Sequence, residues 1–338
     1  MSSSLDPVLI VGGSGVVGAQ TAAALRRLHP ELPVTIAGRD LARAQAVADR
    51  LGLQAVAADL SRPDLGLAED ARFSAVIVFV KDDWSHALAY AQRQGVAHLS
   101  VSSGAFEIGI EVARFIHAPQ AAPVILASQW LAGAALFPTL EYARAYRRIE
   151  SIRVGVLLDE QDMGGAAAWA DFERITKAGA ASLSLKDGSF AWIAGEEARA
   201  RYRSVDGVEL PASAYGPLDV LSLATGTAAR NIRFDLVFDV SASRRRGAPF
   251  STETVIEIEG TLHSGETGRA RHEIVHPQGQ APLTALGVAL STERALGLAG
   301  GGKLEPGLYF PDSIIEPSYY IARMKEFGAT FTEGRADG

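Results

Sequence analysis

The residues best suited to chemistry lie near the start of the chain. Val8 to Gly18 reads VLIVGGSGVVG: an apolar run, a glycine-rich turn, then the opening of an alanine-rich helical segment. Gly13, Gly15 and Gly18 fit G-x-G-x-x-G, while Gly12, Gly15 and Gly18 fit G-x-x-G-x-x-G. The spacing calls for glycine on steric grounds. The chain must turn sharply after a strand, its backbone must approach a pyrophosphate, and the helix must pack tightly on the sheet. A helix N-terminus then offers unpaired N–H groups and the positive end of a dipole. Gly12, Gly13, Ser14, Gly15, Val16, Val17 and Gly18 are the expected cradle for a dinucleotide.

The next strand bears on which dinucleotide. Pro33 to Ala37 (PVTIA) is followed by Gly38-Arg39-Asp40. An NAD-selective site places an acid near the end of this strand to hold the ribose hydroxyls. Here Ala and Gly stand there, and Arg39 follows 21 residues after Gly18. A guanidinium pairs well with a 2′-phosphate, so NADP(H) is expected over NAD(H). Asp40 reads as the N-cap of a helix starting at Leu41. Asp59, or the backbone of Leu60, follows the third strand and is expected to meet the adenine. The competing reading is a turn aspartate introducing Ser61-Arg62-Pro63.

Other candidates follow later strands. Lys81 stands at the end of the fourth strand, where it is expected to approach the nicotinamide or the substrate. It would donate a proton or hold a carboxylate. His86 is the alternative donor, and Asp82 and Asp83 are expected to cap the helix around it. Ser102-Ser103-Gly104 follows the fifth strand, with Ser102 placed at the nicotinamide amide or at a helix cap. Gln129 and Trp130 follow the sixth and are expected to contact substrate. Asp159, in Asp159-Glu160-Gln161-Asp162, is expected to face the cleft and favour an amine. Gly164-Gly165 opens a helix whose N-terminus suits an anion, and the two readings leave substrate charge open. His272 and His276 share a strand face, but no third ligand is evident, so no metal is expected.

The elements that must position these groups alternate strand and helix through about residue 150. The expected class is α/β. A doubly wound parallel Rossmann sheet occupies 1–131, and a second α+β domain on a mixed or antiparallel sheet occupies 132–310. The segment 311–338 is expected to return to the first domain. Helices are expected over 166–180 and 282–298, and Pro211 to Pro217 reads as a loop. The second-domain strands have apolar faces, predicting a homodimer through that sheet.

Composition narrows the class. The 338 residues carry a formal charge of −7, no cysteine and only five lysines. There is no basic field for nucleic acid or an anionic membrane. Disulfides and thiol catalysis are excluded, and a cytoplasmic location is expected. Arg244-Arg245-Arg246 reads as a solvated turn.

The chain resembles the saccharopine dehydrogenase-like reductases. The resemblance rests on VLIVGGSGVVG at 8–18, AGRDLARAQAVADRLG at 37–52, VIVFVKDD at 76–83 and PGLYFPDSIIEPSYYIARMKEFGATF at 306–331. It covers the first 150 residues and the last 30 well, and the middle only in general character. It implies a Rossmann domain, a second domain on a mixed sheet, and a small-molecule substrate between them. It also implies NADP(H)-dependent hydride transfer to or from a C=N or C=O bond. A non-catalytic NADP(H) sensor and a reductase of an activated C=C bond are the alternatives. No Tyr-x-x-x-Lys pair stands in the first domain, which argues against a tyrosine proton relay.

Overall fold

A computed structural model describes residues 5–162, 164–178 and 181–334. The expected helix end at Gly179 and Ala180 lies outside the described residues. The chain divides into two compact units. One comprises 1–128, 164–171 and 284–315; the other comprises 129–163, 172–283 and 316–338.

The first unit begins with β1 (Val8–Val11), α1 (Val16–Leu28), β2 (Val34–Gly38), α2 (Leu41–Leu51) and β3 (Gln54–Ala57). It continues with β4 (Ala75–Val78), α3 (His86–Gln94), β5 (Ala97–Ser100), α4 (Gly109–His117) and β6 (Pro123–Leu126). Every residue of β1, β4, β5 and β6 is buried, which is why these strands read as unbroken apolar runs. α2 starts and stops as expected. Asp40 accepts the Arg43 N–H at 3.1 Å, and Gly52 closes the helix in a left-handed conformation with φ +65°.

The second unit holds α5 (Leu136–Ala143), β7 (Tyr146–Asp159) and the later part of α6 (Ala166–Ala178). Next come β8 (Ser182–Lys186), β9 (Ser189–Ile193), β10 (Arg199–Arg203) and β11 (Glu209–Ala214). α7 (Asp219–Gly226), β12 (Asn231–Asp239), α8 (Ala242–Arg245), β13 (Thr252–Leu262) and β14 (Thr267–His276) follow. Its sheet runs β10-β11-β12-β7-β13-β14, with β8 on β12 and β9 on β8. β12 pairs with β7 in parallel and β13 pairs with it antiparallel, so the sheet is mixed. The expected loop at 211–217 is strand at its start. β11 pairs there with β10 alone, reaching β12 only at Ser213 and Ala214, so Pro211 breaks no ladder on the other side.

Period-two alternation divides the faces of this sheet. Ile152, Val154, Val156, Phe234 and Ile256 are buried on one face. On that face the Tyr142 ring of α5 stacks on His272 with centroids 3.6 Å apart. The opposite face carries Arg233, Arg153, Glu257 and Arg271 in register across four strands. The first face is apolar and buried, and the other carries this charged row beside the apolar Leu157, Val237 and Val255.

The C-terminal part runs through α9 (Ala281–Ala295), β15 (Gly307–Tyr309), α10 (Pro317–Glu326) and β16 (Thr330–Gly334). The return to the first unit comes earlier than 311–338. β15 joins β6 in parallel, completing a first sheet of order β15-β6-β5-β4-β1-β2-β3. From Glu316 onward the chain belongs to the second unit, where β16 extends the sheet beside β14. Tyr320, fully buried, fixes that placement: its ring stacks on Phe137 at 4.1 Å and its hydroxyl donates to the Ala132 carbonyl at 3.0 Å.

Candidate functional site

The glycine turn leaves β1 at the point where strand order reverses, between β1 and β4. Ligands of open α/β sheets bind at such a switch point. Gly12 has φ +80°. A Cβ on Gly18 would lie 2.6 Å from the Gly12 carbonyl oxygen and 2.7 Å from Gly13 Cα. On Gly13 it would lie 2.8 Å from the Ile10 carbonyl oxygen. No side chain caps α1 at Gly15, so its first-turn N–H groups have no partner within the helix. Gly165, at φ +96°, abuts this turn: a Cβ there would meet Val16 Cγ2 at 3.1 Å. The N-termini of α1 and α6 are therefore neighbours.

The end of β2 lies beside the turn. A Cβ on Gly38 would sit 3.7 Å from Ser14 Oγ, and Arg39 follows, exposed. Asp59 takes the turn role. Its Oδ1 accepts the Ser61 N–H at 3.0 Å, and that bond, helped by the Arg39 charge, holds its carboxyl below the usual range. Leu60 is buried, and its carbonyl accepts a hydrogen bond from His86 Nδ1 at 2.8 Å. The proton therefore sits on Nδ1, and only Nε2 of His86 is left for chemistry.

β4 stops at Val78, so Lys81 lies three residues beyond the strand rather than at its end. Its Nζ is 3.3 Å from Glu107 Oε1, with both side chains mostly buried. Glu107 Oε2 accepts the Gly104 N–H at 2.8 Å. Ser100, the last residue of β5, donates to Glu111 Oε1 at 2.5 Å. Burial pushes the Glu111 carboxyl above its usual range; Ser100, Ser103 and Lys81 pull it down, and Glu107 pushes it further up. Ser102 Oγ donates to Asp171 Oδ2 at 2.7 Å. α4 begins at Gly109, so Ser102-Ser103-Gly104 caps no helix. Asp82 does cap, accepting the Trp84 and Ala87 N–H groups at 3.2 and 2.8 Å. Glu107, Glu111 and Asp171 were missed in the sequence. The available signal was Glu107 and Glu111 at i and i+4 just after the serines.

Gln129 and Trp130 fall in the second unit. Both are buried, and neither the Gln129 amide nor Trp130 Nε1 has a hydrogen-bond partner among the described residues. The Trp130 N–H donates to Asp219 at 2.6 Å, and its ring meets Tyr215 edge-on at 5.7 Å. Leu131 and Ala132 follow in left-handed conformations at φ +49° and +54°. Strain of this kind in consecutive residues gathers at functional sites.

Asp159 must be corrected as a substrate contact. Its side chain is fully buried. The carboxylate accepts the Gln161 N–H at 2.9 Å, the Ser241 N–H at 2.7 Å and Arg244 Nη1 at 2.7 Å. Burial pushes its pKa up, but these donors hold it below the usual range. The arginine run is corrected with it: Arg244 pairs with Asp159, and Arg245 pairs with Asp206 at 2.7 Å.

Among the described residues no group of three or more His, Cys, Asp or Glu could hold a metal ion, and no helix is long and apolar enough to cross a membrane. His276 is a packing residue, with Nε2 donating to the Phe327 carbonyl at 3.0 Å and Nδ1 accepting the Gln278 N–H at 3.3 Å.

A parallel sheet with reversed strand order, a glycine turn and an uncapped helix defines a Rossmann-type unit. The chain matches no protein-family model and no curated protein sequence. Among solved structures it is similar to apo saccharopine dehydrogenase (L-Glu forming) from Saccharomyces cerevisiae. That match covers 98% of this chain and 100% of the other, with TM-score 0.69 and 14% identity. Weaker likenesses include GenD2 from gentamicin A biosynthesis in complex with NAD (TM-score 0.48, 14% identity, 99% and 98% covered). Another is the WlbA dehydrogenase from Chromobacterium violaceum in complex with NADH and UDP-GlcNAcA (TM-score 0.49, 12% identity, 100% and 98% covered). At such identities the likeness is one of fold, and the fold is saccharopine dehydrogenase-like.

Proposed function

We propose that the chain is an oxidoreductase using NADP(H), which transfers a hydride to or from a C=N or C=O bond of a small molecule. One observation carries this reading: an uncapped α1 N-terminus beside Ser14, Gly38 and Arg39, with no acid at the end of β2. The residues fit the group. Gly12 to Gly18 would hold the pyrophosphate, and Ser14 with Arg39 would hold the 2′-phosphate. When bound, the nicotinamide supplies or takes up the hydride.

Lys81 is the proton donor of this reading, held toward Glu107 and within the field of Glu111. Gln129 and Trp130 support a polar substrate. Buried groups without partners cost roughly 1–3 kcal/mol each, a cost that a ligand making those bonds relieves.

The test is NADPH oxidation against pooled oxo acids, with and without amines. The wild type oxidises NADPH with at least one pool. Lys81→Met lowers turnover about 10²–10⁴-fold while leaving NADPH affinity nearly intact. Equal turnover in wild type and variant removes Lys81 from the chemistry, and no oxidation in any pool overturns the assigned reaction.

A further inference from the structure

We propose that the second unit carries a separate binding site for a small polyanion, in a cavity between its charged sheet face and the β10–β11 hairpin. The hairpin joins β12 only at Ser213 and Ala214, and beyond that pairing it folds back over the sheet. Tyr202 of β10 lies against Gly155 of β7, so closely that a Cβ on Gly155 would fall 2.5 Å from the ring. Leu157, Leu210, Val237 and Val255 pack around Tyr202.

Two arginine forks fix the ends of β10. Arg233 donates to the carbonyls of Glu197, Ala198 and Arg199 at 3.0, 2.9 and 3.3 Å. Arg271 donates to those of Arg203 and Ser204 at 2.8 and 3.3 Å. Both forks are neutralised nearby. Arg233 Nε meets both oxygens of Asp235 at 2.9 Å, and Arg271 lies between Glu257 at 3.5 Å and Glu273 at 2.8 Å. These two arginines are structural.

The cavity, open to solvent on one side, measures about 510 Å³, the size of a small-molecule site. Seven arginines and three carboxylates line it, and even with Glu196 paired to Arg199 and Glu273 paired to Arg271 positive charge is in excess, in a chain whose net charge is −7. Arg153 stands on β7, directly beside Arg233 of β12. Like charges on paired strands destabilise a sheet. Arg153 is exposed, and its guanidinium has no ion-pair or hydrogen-bond partner among the described residues. Arg201 reaches only Glu209, at 3.5 Å, and is 72% exposed. Guanidinium groups grip phosphate and carboxylate oxygens in pairs. The cavity therefore suits a small anion carrying two or more phosphate or carboxylate groups, and it is built only from second-unit residues.

The experiment is calorimetric titration of the full chain with pyrophosphate and with citrate at low salt. The comparison variants are Arg153→Ala/Arg201→Ala, which leaves both forks in place, and Arg39→Asp in the dinucleotide cradle. The wild type binds at least one of the two anions. The double variant binds it at least tenfold more weakly yet melts no lower than wild type without ligand, and Arg39→Asp binds it unchanged. The proposal is overturned by no binding at millimolar anion, or by equal binding in the double variant. Loss of binding in Arg39→Asp also overturns it, because the anion then sits in the cradle. So does a light-scattering dimer that the double substitution splits while neither anion binds, because a second copy then covers the face.

Discussion

Gly18 shows how closely one residue type can be specified by its surroundings. Its would-be Cβ collides with backbone at 2.6 and 2.7 Å, and backbone cannot swing aside as a side chain can. Gly18→Ala is expected to cost about 1–3 kcal/mol and to weaken dinucleotide binding by shifting the turn from α1. Urea unfolding and a fluorescence titration with NADPH check this, and wild-type values in both would contradict it. The glycine turn was legible in the sequence because its geometry is set within a few residues. Asp159 was not, because its donors Ser241 and Arg244 come from more than 80 residues away. Lys81 was legible as a residue of the crevice side, but its partner Glu107 was not, since only the placement of the loop before α4 brings the two together.

Among the elements, the loop after β7 contains a titrating group with a stability consequence. Asp162 is buried and accepts the Gln280 N–H at 2.6 Å. Burial raises its pKa to about 6, with the Asp159 charge adding and the Gln280 bonds opposing. The folded value lies above the unfolded value of 3.8, so the folded state holds the proton more tightly. The stabilisation is full below about pH 4 and is lost as pH rises through about 6. Asp162→Asn keeps an acceptor for Gln280 and removes the charge. It is expected to be more stable than wild type at pH 7, by roughly 1–3 kcal/mol, and close to it at pH 4. Urea midpoints at the two pH values measure this, and a variant less stable at pH 7 would contradict it. The strands of the first unit were legible from their unbroken apolar runs. β10, reading RARYR, was not: Tyr202 turns to the sheet while its three arginines are exposed, a pattern that also fits a solvated loop.

For the whole molecule, the class and the mixed second sheet followed from the switch from alternating elements to long strands near residue 150. The path of the chain did not. Each unit is assembled from three segments, and β15, three residues long, carries no pattern of its own. Tyr320 and Phe137 hold α10 to the second unit through a contact between distant segments, beyond the reach of periodicity. The central proposal concerns the first unit: that it is a dinucleotide cradle reading a 2′-phosphate through Arg39. The most direct test is to titrate NADPH and NADH into wild type and Arg39→Asp. The wild type is expected to bind NADPH more tightly, and the variant to lose about 1.5–3 kcal/mol of NADPH binding, roughly ten- to a hundredfold in Kd, while NADH binding changes little. Binding of neither dinucleotide, or the same preference in the variant as in the wild type, would contradict it.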